Sequence, residues 1–281
     1  MSMEVENQTP KGPDRKKIAI IIGIVVALLA LVVSLWFFLR PADEPDPTEP
    51  SQTEELTEET TEEVTEEVTE EVTEPQMLPH MKELYDQNPD TVGWLTIEGT
   101  EVDYPLMYTP NEREKYLHKD FEGKYDFAGE LFIDEDCSLD PESDNLIIYG
   151  HNMKNGTMFR PIMSYRKEAF WQEHKTMTLT TLYEERTYEV VASFYDRVYY
   201  KYEDVFKFYQ FIDAETEEDF NEAINYYKAN ACFDTGVVPE YGDRLITLVT
   251  CTTSTDYNDG RFVVIAREVP RETTEQTTEA E

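Results

Sequence analysis

Leu245-Ile-Thr-Leu-Val-Thr-Cys251 runs directly into Thr252-Thr-Ser-Thr-Asp-Tyr-Asn-Asp-Gly260. The first part is leucine and β-branched residues with no turn former, the composition of a buried strand. The second is Thr, Ser, Asn, Asp and Gly, the composition of a loop. The strand ends on a cysteine. A thiol at the end of a rigid strand, at a loop mouth, is both fixed and reachable, and a nucleophile needs both. Arg261 opens the next apolar run, so a hairpin across this loop brings a guanidinium close to the sulfur. Its permanent charge favours thiolate and can hold a developing oxyanion.

A second segment has the same construction. Asn145-Leu-Ile-Ile-Tyr-Gly-His151-Asn152-Met153 reads as an apolar strand that stops at Gly150, where a tight turn leaves the His151 imidazole in a loop. A hundred residues separate His151 from Cys251, which is no obstacle, because such acid/base pairs meet in space and not in sequence.

Six further β-type runs share the chain: 92–97, 102–107, 131–133, 177–182, 187–194 and 262–266. With 146–149 and 245–250 they make eight short strands separated by Gly, Pro, Asn and Asp, the pattern of a small barrel or sandwich. Two helices accompany them. Leu78, Met81, Leu84 and Tyr85 have helical spacing and stop at Asn88-Pro89-Asp90. Phe220, Ala223, Ile224, Tyr227 and Ala231 form one apolar stripe, opened by Thr216 and Asp219 in capping-box positions and closed by Cys232, read as a packed apolar residue. The fold class is mostly β with a few helices, over residues 77–269.

The flanks are built differently. The run 18–39 is 22 residues without a charge, long enough to cross a bilayer core at 1.5 Å per residue. A cleaved signal peptide would have a shorter apolar region followed by small residues; here the run ends in Trp36-Phe-Phe-Leu39 and then Arg40-Pro41. Lys11, Arg15, Lys16 and Lys17 precede it, so the positive-inside rule predicts a cytoplasmic segment 1–17, a single transmembrane helix 18–39 and an extracellular remainder. Residues 40–76 are Thr, Glu and Pro-rich, and repeat Thr-Glu-Glu-Val with period four from Thr61. Like charges at i,i+4 and sparse apolar surface favour an extended, self-repelling spacer over a marginal helix. The acidic tail 270–281 reads as disordered too.

The net charge is -36, and acids outnumber bases within 77–269 as well. Phosphate binding needs a basic surface, so nucleic acid is excluded as a partner. Three cysteines, Cys137, Cys232 and Cys251, cannot all pair within one chain, and no C-x-x-C or short-spaced His pair supports a structural metal. Cys137 lies in Asp-Glu-Asp-Cys, an anionic setting that raises a thiol pKa. His80, beside the spacer, and His118 and His174, in charged stretches, read as surface residues.

Taken together these segments resemble the sortase family. Thr247-Leu-Val-Thr-Cys251 matches its T-L-x-T-C signature, Arg261 falls where the family's arginine follows, and Tyr149-Gly-His-Asn-Met-Lys-Asn-Gly-Thr-Met-Phe159 is similar to the histidine segment of class B members. Gly93-Trp-Leu-Thr-Ile-Glu-Gly-Thr-Glu-Val-Asp-Tyr-Pro105 is similar to their early strands, and the helix near 216–232 fits the insertion of that class. The resemblance implies a closed eight-stranded β-barrel, no cofactor, and a two-step transpeptidation. Cys251 would attack the threonine carbonyl of a C-terminal sorting motif in a secreted protein. His151 would protonate the leaving amine, and an amine of a peptidoglycan precursor in a Gram-positive cell wall would resolve the thioester. Arg261 would orient the substrate or hold the oxyanion; its alternative role is an ordinary ion pair with Asp256 or Asp259. Thr250, Asn152 and Tyr149 are candidate supports, Tyr149 equally a barrel-packing residue. Competing functions are a pilin-polymerising or hydrolytic enzyme of the same kind, and a non-catalytic, stalked surface-binding module.

Overall fold

The computed structural model describes residues 75–252 and 260–270. The predicted span, nearly all of the spacer, the tail after residue 270 and the 253–259 loop with Asp256 and Asp259 lie outside them. Among the described residues, no helix is long and apolar enough to cross a membrane.

Helix α1 (Pro79–Gln87) starts on a proline, whose fixed φ suits the first helical turn. Eight strands follow: β1 (Thr91–Thr96), β2 (Asp103–Met107), β3 (Leu131–Ile133), β4 (Asn145–Tyr149), β5 (Thr176–Thr181), β6 (Glu185–Arg197), β7 (Leu245–Cys251) and β8 (Gly260–Glu268). They close into a barrel in the order β1-β2-β3-β4-β7-β8-β6-β5, with β5 returning to β1. The eight predicted strands and the mostly-β barrel class are therefore present. The main difference in extent is β6, 13 residues long, whose polar last residues Asp196 and Arg197 lacked an apolar signal but pair with Arg261 and Gly260 of β8.

Two pairings are parallel, β2 with β3 and β4 with β7. Strands β4 and β7 are buried along nearly their whole length, which is why both read as unbroken apolar runs and not as alternating ones. A buried polar lock fixes their register. Asn145 is fully buried, donates from Nδ2 to the Phe211 carbonyl at 2.7 Å and accepts from Thr247 Oγ1 at 2.8 Å. A slip of one residue would leave those buried groups unpaired, which costs about 1–3 kcal/mol each.

Short helical turns occur at Lys115–His118, Pro161–Arg166 and Phe208–Gln210, with α2 at Glu168–Glu173. None is long enough for a helical period to register in sequence. The last helix, α3 (Glu217–Asn230), lies between β6 and β7, and the predicted stripe of Phe220, Ala223, Ile224 and Tyr227 is its buried face. Tyr227 stacks on Phe194 of β6, ring centroids 5.7 Å apart. Thr216 caps the helix by accepting from the Asp219 N–H at 3.2 Å, while its hydroxyl donates to the Asp219 carboxylate at 2.8 Å. Cys232 is a correction: it lies beyond the helix end and is exposed, its backbone N–H donating to the Ser193 carbonyl at 2.7 Å.

Candidate active site

The parallel β4–β7 pair sets Tyr149 opposite Val249. Both strands run the same way, so His151 and Cys251, each two residues further on, leave the barrel at the same rim. The antiparallel β7–β8 pair then sets Cys251 directly opposite Arg261. Residues opposite one another in a ladder point to one face, so the thiol and the guanidinium share a face. One cleft of about 590 Å³ includes Cys251, His151 and Arg261 in its lining.

Each candidate support has a definite partner. Thr250, buried, donates from Oγ1 to the Gly150 carbonyl at 2.7 Å, and Gly150 N–H donates to Val249 O at 3.2 Å. Asn152 Nδ2 donates to the Cys251 carbonyl at 2.8 Å, and Asn152 Oδ1 accepts from Arg160 at 3.1 Å. Tyr149 donates to Asp134 at 2.9 Å and packs on Phe132. Burial drives the Tyr149 hydroxyl far above its ordinary pKa, with Asp134 adding to it. It is therefore a neutral donor that helps wall the cleft.

Gly150 is required for a reason other than the turn expected from sequence. Its φ is not left-handed. A Cβ there would come within 2.5 Å of Leu131 Cδ2 and 2.6 Å of Phe159 Cδ2, so the strand end is packed too closely for a side chain.

Cys251 is exposed at the mouth of the cleft, whereas Cys137, on the β3–β4 connection, is buried. Burial, with smaller contributions from Asp134, Asp213 and Asp136, pushes the Cys137 thiol up to about 12. The anionic neighbours read from sequence are thus the lesser cause. Arg261 donates to the Gly260 carbonyl at 3.1 Å and, among the described residues, forms no ion pair. His151 is half-buried. Burial, and secondarily the charge of His118, hold its pKa below the ordinary 6.5.

His118 and His174 are corrections to the surface reading. The His118 ring lies 5.2 Å from that of His151, edge to face. His174 is half-buried, its Nδ1 lying 2.8 Å from the Glu98 carbonyl and its ring 4.2 Å from that of Phe170. The Tyr-Leu-His118 segment carries no sequence signal of this, because the β2–β3 connection that folds it back is irregular. His80 is exposed, as expected. Among the described residues, no group of three or more His, Cys, Asp or Glu is arranged to hold a metal ion.

Comparison with known proteins agrees with this fold. The profile of the Sortase domain matches residues 95–269. The chain is 34% identical to sortase B of Listeria monocytogenes over 187 residues, covering 66% of this chain and 72% of that protein. It is 27% identical to sortase B of Staphylococcus aureus over 189 residues, 67% of this chain and 74% of that one. Among solved structures, a Staphylococcus aureus sortase B–substrate complex superposes with a TM-score of 0.62 at 25% identity, over 70% of this chain and 88% of that one. Sortase B of Bacillus anthracis in complex with AAEK1 gives a TM-score of 0.60 at 25% identity over the same share of each chain.

Proposed function

Because this chain belongs to the sortase family, and within it to class B, whose members are cysteine transpeptidases, we propose that Cys251 is its nucleophile, His151 its acid/base partner and Arg261 its oxyanion and substrate-positioning group. The observation that carries the reading is the convergence of the ends of β4, β7 and β8 on one cleft, with the reachable thiol opposite the guanidinium.

The reaction follows from that arrangement. The Cys251 thiolate adds to the carbonyl carbon of the motif threonine, and the electron pair moves to the carbonyl oxygen, where Arg261 holds the charge. Collapse breaks the C–N bond, and protonated His151 gives its proton to the departing amine. The thioester carries the substrate chain. An incoming amine, deprotonated by His151, attacks the same carbon and expels the thiolate, leaving a new amide. Asn152 and Thr250 tie the two strand ends together and keep the pair in register. Staphylococcus aureus sortase B has been solved in complex with its substrate, which supports a substrate occupant for the corresponding cleft here.

The proposed substrates are secreted proteins with a C-terminal motif that begins Asn-Pro or Ser/Pro-Pro and has threonine fourth. The acceptor is an amine of the peptidoglycan precursor. The test supplies the purified full-length chain with a library of such pentapeptides and a wall-like amine, followed by mass spectrometry. Cleavage after threonine with amine incorporation, lost in Cys251→Ala and His151→Ala, is the expected result. Cleavage that survives Cys251→Ala, or hydrolysis without incorporation of any amine, sinks the transpeptidase reading.

We also propose a single-pass membrane anchor with the catalytic domain outside. The support is the uncharged 22-residue run 18–39 with its basic N-terminal flank. Carbonate-resistant membrane association, with the catalytic domain cut by protease added to intact protoplasts, is expected; release by carbonate overturns the anchor.

A further inference from the structure

A Cys/His pair works only if its base is held in one orientation, usually by a third polar group hydrogen-bonded to the imidazole. Among the described residues, the His151 ring has no such carboxylate or amide partner; the adjacent Asn152 is turned to Cys251 and Arg160 instead. Two rings meet it. His118 stands against it at 5.2 Å and 75°, Phe127 at 5.8 Å and 86°. Those two are themselves stacked, 5.6 Å apart at 23°, with His118 Nδ1 lying 3.3 Å from the Phe127 carbonyl. Edge-to-face contact at such separations is the preferred aromatic geometry, worth about 0.5–1.5 kcal/mol beyond the buried area.

The stack is built into the chain. His118 ends the helical turn Lys115–His118, and a small closed loop returns the backbone to it: Lys119 bridges Tyr125, and Asp126 N–H donates to the His118 carbonyl at 3.1 Å. At Gly129, φ +61, an added Cβ would lie 2.3 Å from the Tyr116 carbonyl oxygen, so this close return of the chain needs glycine. Phe127 stands 62% exposed beside the His151 ring.

We propose that the His118–Phe127 stack is a positioning device for His151. This rests on His151 being the acid/base of the reaction proposed above. The rings fix the imidazole plane facing Cys251, and His118, when protonated, disfavours a second positive charge on His151. Other charged groups lining the cleft are Arg261 of β8, Arg113, Glu112 and Glu114 before the helical turn, and Asp134, Glu135 and Asp136 after β3. The perturbation of His151 comes from burial and His118.

The test compares wild type, His118→Ala, His118→Phe, Phe127→Ala, Cys251→Ala and His151→Ala in the full-length chain. It measures kcat and KM for motif cleavage, together with the NMR titration of the His151 ring. His118→Ala and Phe127→Ala are expected to lower kcat roughly ten-fold with little change in KM, a loss of orientation and not of binding. His118→Phe should recover most of the kcat lost in His118→Ala and move the His151 titration to higher pH. If both alanine variants keep wild-type kcat and His151 titration while Cys251→Ala and His151→Ala are inactive, the positioning role is wrong and the catalytic reading stands. If Cys251→Ala or His151→Ala cleaves normally, the catalytic reading itself fails.

Discussion

Asn152 Nδ2 donates a 2.8 Å hydrogen bond to the carbonyl of Cys251, joining the loop after β4 to the last residue of β7. Arg160, donating to Asn152 Oδ1 at 3.1 Å, fixes which way the side-chain amide points. The bond lies near the surface, so its net worth is about 1 kcal/mol. Its position matters more than its energy, since it sets where the thiol stands relative to the imidazole. Asn152→Ala should therefore lower kcat/KM for motif cleavage by roughly ten-fold, with thermal midpoint hardly altered. An equal loss of stability and activity would show the bond to be merely structural.

Gly150→Ala is expected to fail for packing. The new methyl would meet Leu131 and Phe159 at 2.5 and 2.6 Å, and overpacking of this kind costs about 1–3 kcal/mol. Because the same residue offers its carbonyl to Thr250 at 2.7 Å, relief by backbone shift would move His151 with it. Denaturant unfolding should show a lower midpoint, and peptide cleavage should fall further than the stability loss accounts for. Wild-type unfolding and cleavage would mean that the strand end has room to give.

The strands of the barrel were legible because each pairs an apolar run with flanking turn residues, and β4 and β7 lack alternation because both their faces are covered. That His151 and Cys251 line one cleft was legible only as a possibility. The parallel pairing that aligns Tyr149 with Val249 depends on Asn145 and Thr247, whose lock joins residues far apart in sequence. His118 was misread for a related reason. Its partner His151 lies beyond an irregular connection with no period, so the local charge of Lys119 and Asp120 dominated the reading. Cys232 was misread because the stripe was extended past the C-cap at Ala231; beyond a helix end the period no longer says which way a side chain points.

Glu130 should make stability depend on pH in the direction opposite to most carboxylates. Burial pushes its carboxyl up to about 7 from an ordinary 4.5, against the opposing hydrogen bond from Phe121 N–H, with Asp120 and Asp126 adding to the rise. Between those values the folded state binds the proton and the unfolded state does not. The contribution is thus fully present below pH 4.5 and lost as pH rises through 7. Glu130→Gln keeps an oxygen acceptor for the Phe121 N–H, 3.2 Å away, and removes the charge. Its thermal midpoint relative to wild type should rise from pH 5 to pH 8; a difference independent of pH would refute the assignment.

The three thiols should separate by access. Cys251 and Cys232 are exposed, whereas Cys137 is buried, accepts from the Ile147 N–H at 3.5 Å and has its ionisation pushed up to about 12. The thiolate is the reactive form, so burial protects Cys137 twice, by excluding the reagent and by suppressing the anion. Brief treatment of the native chain with a methanethiosulfonate reagent should modify Cys251 and Cys232 and leave Cys137 untouched, with all three modified after unfolding in guanidinium. In Cys232→Ser the native chain should take up a single adduct, and cleavage activity should disappear in step with it. Activity that survives complete modification of Cys251 would remove that thiol from the mechanism, because neither Cys137, sealed in the core, nor Cys232, on the exposed segment past α3, lies in the cleft with His151 and Arg261.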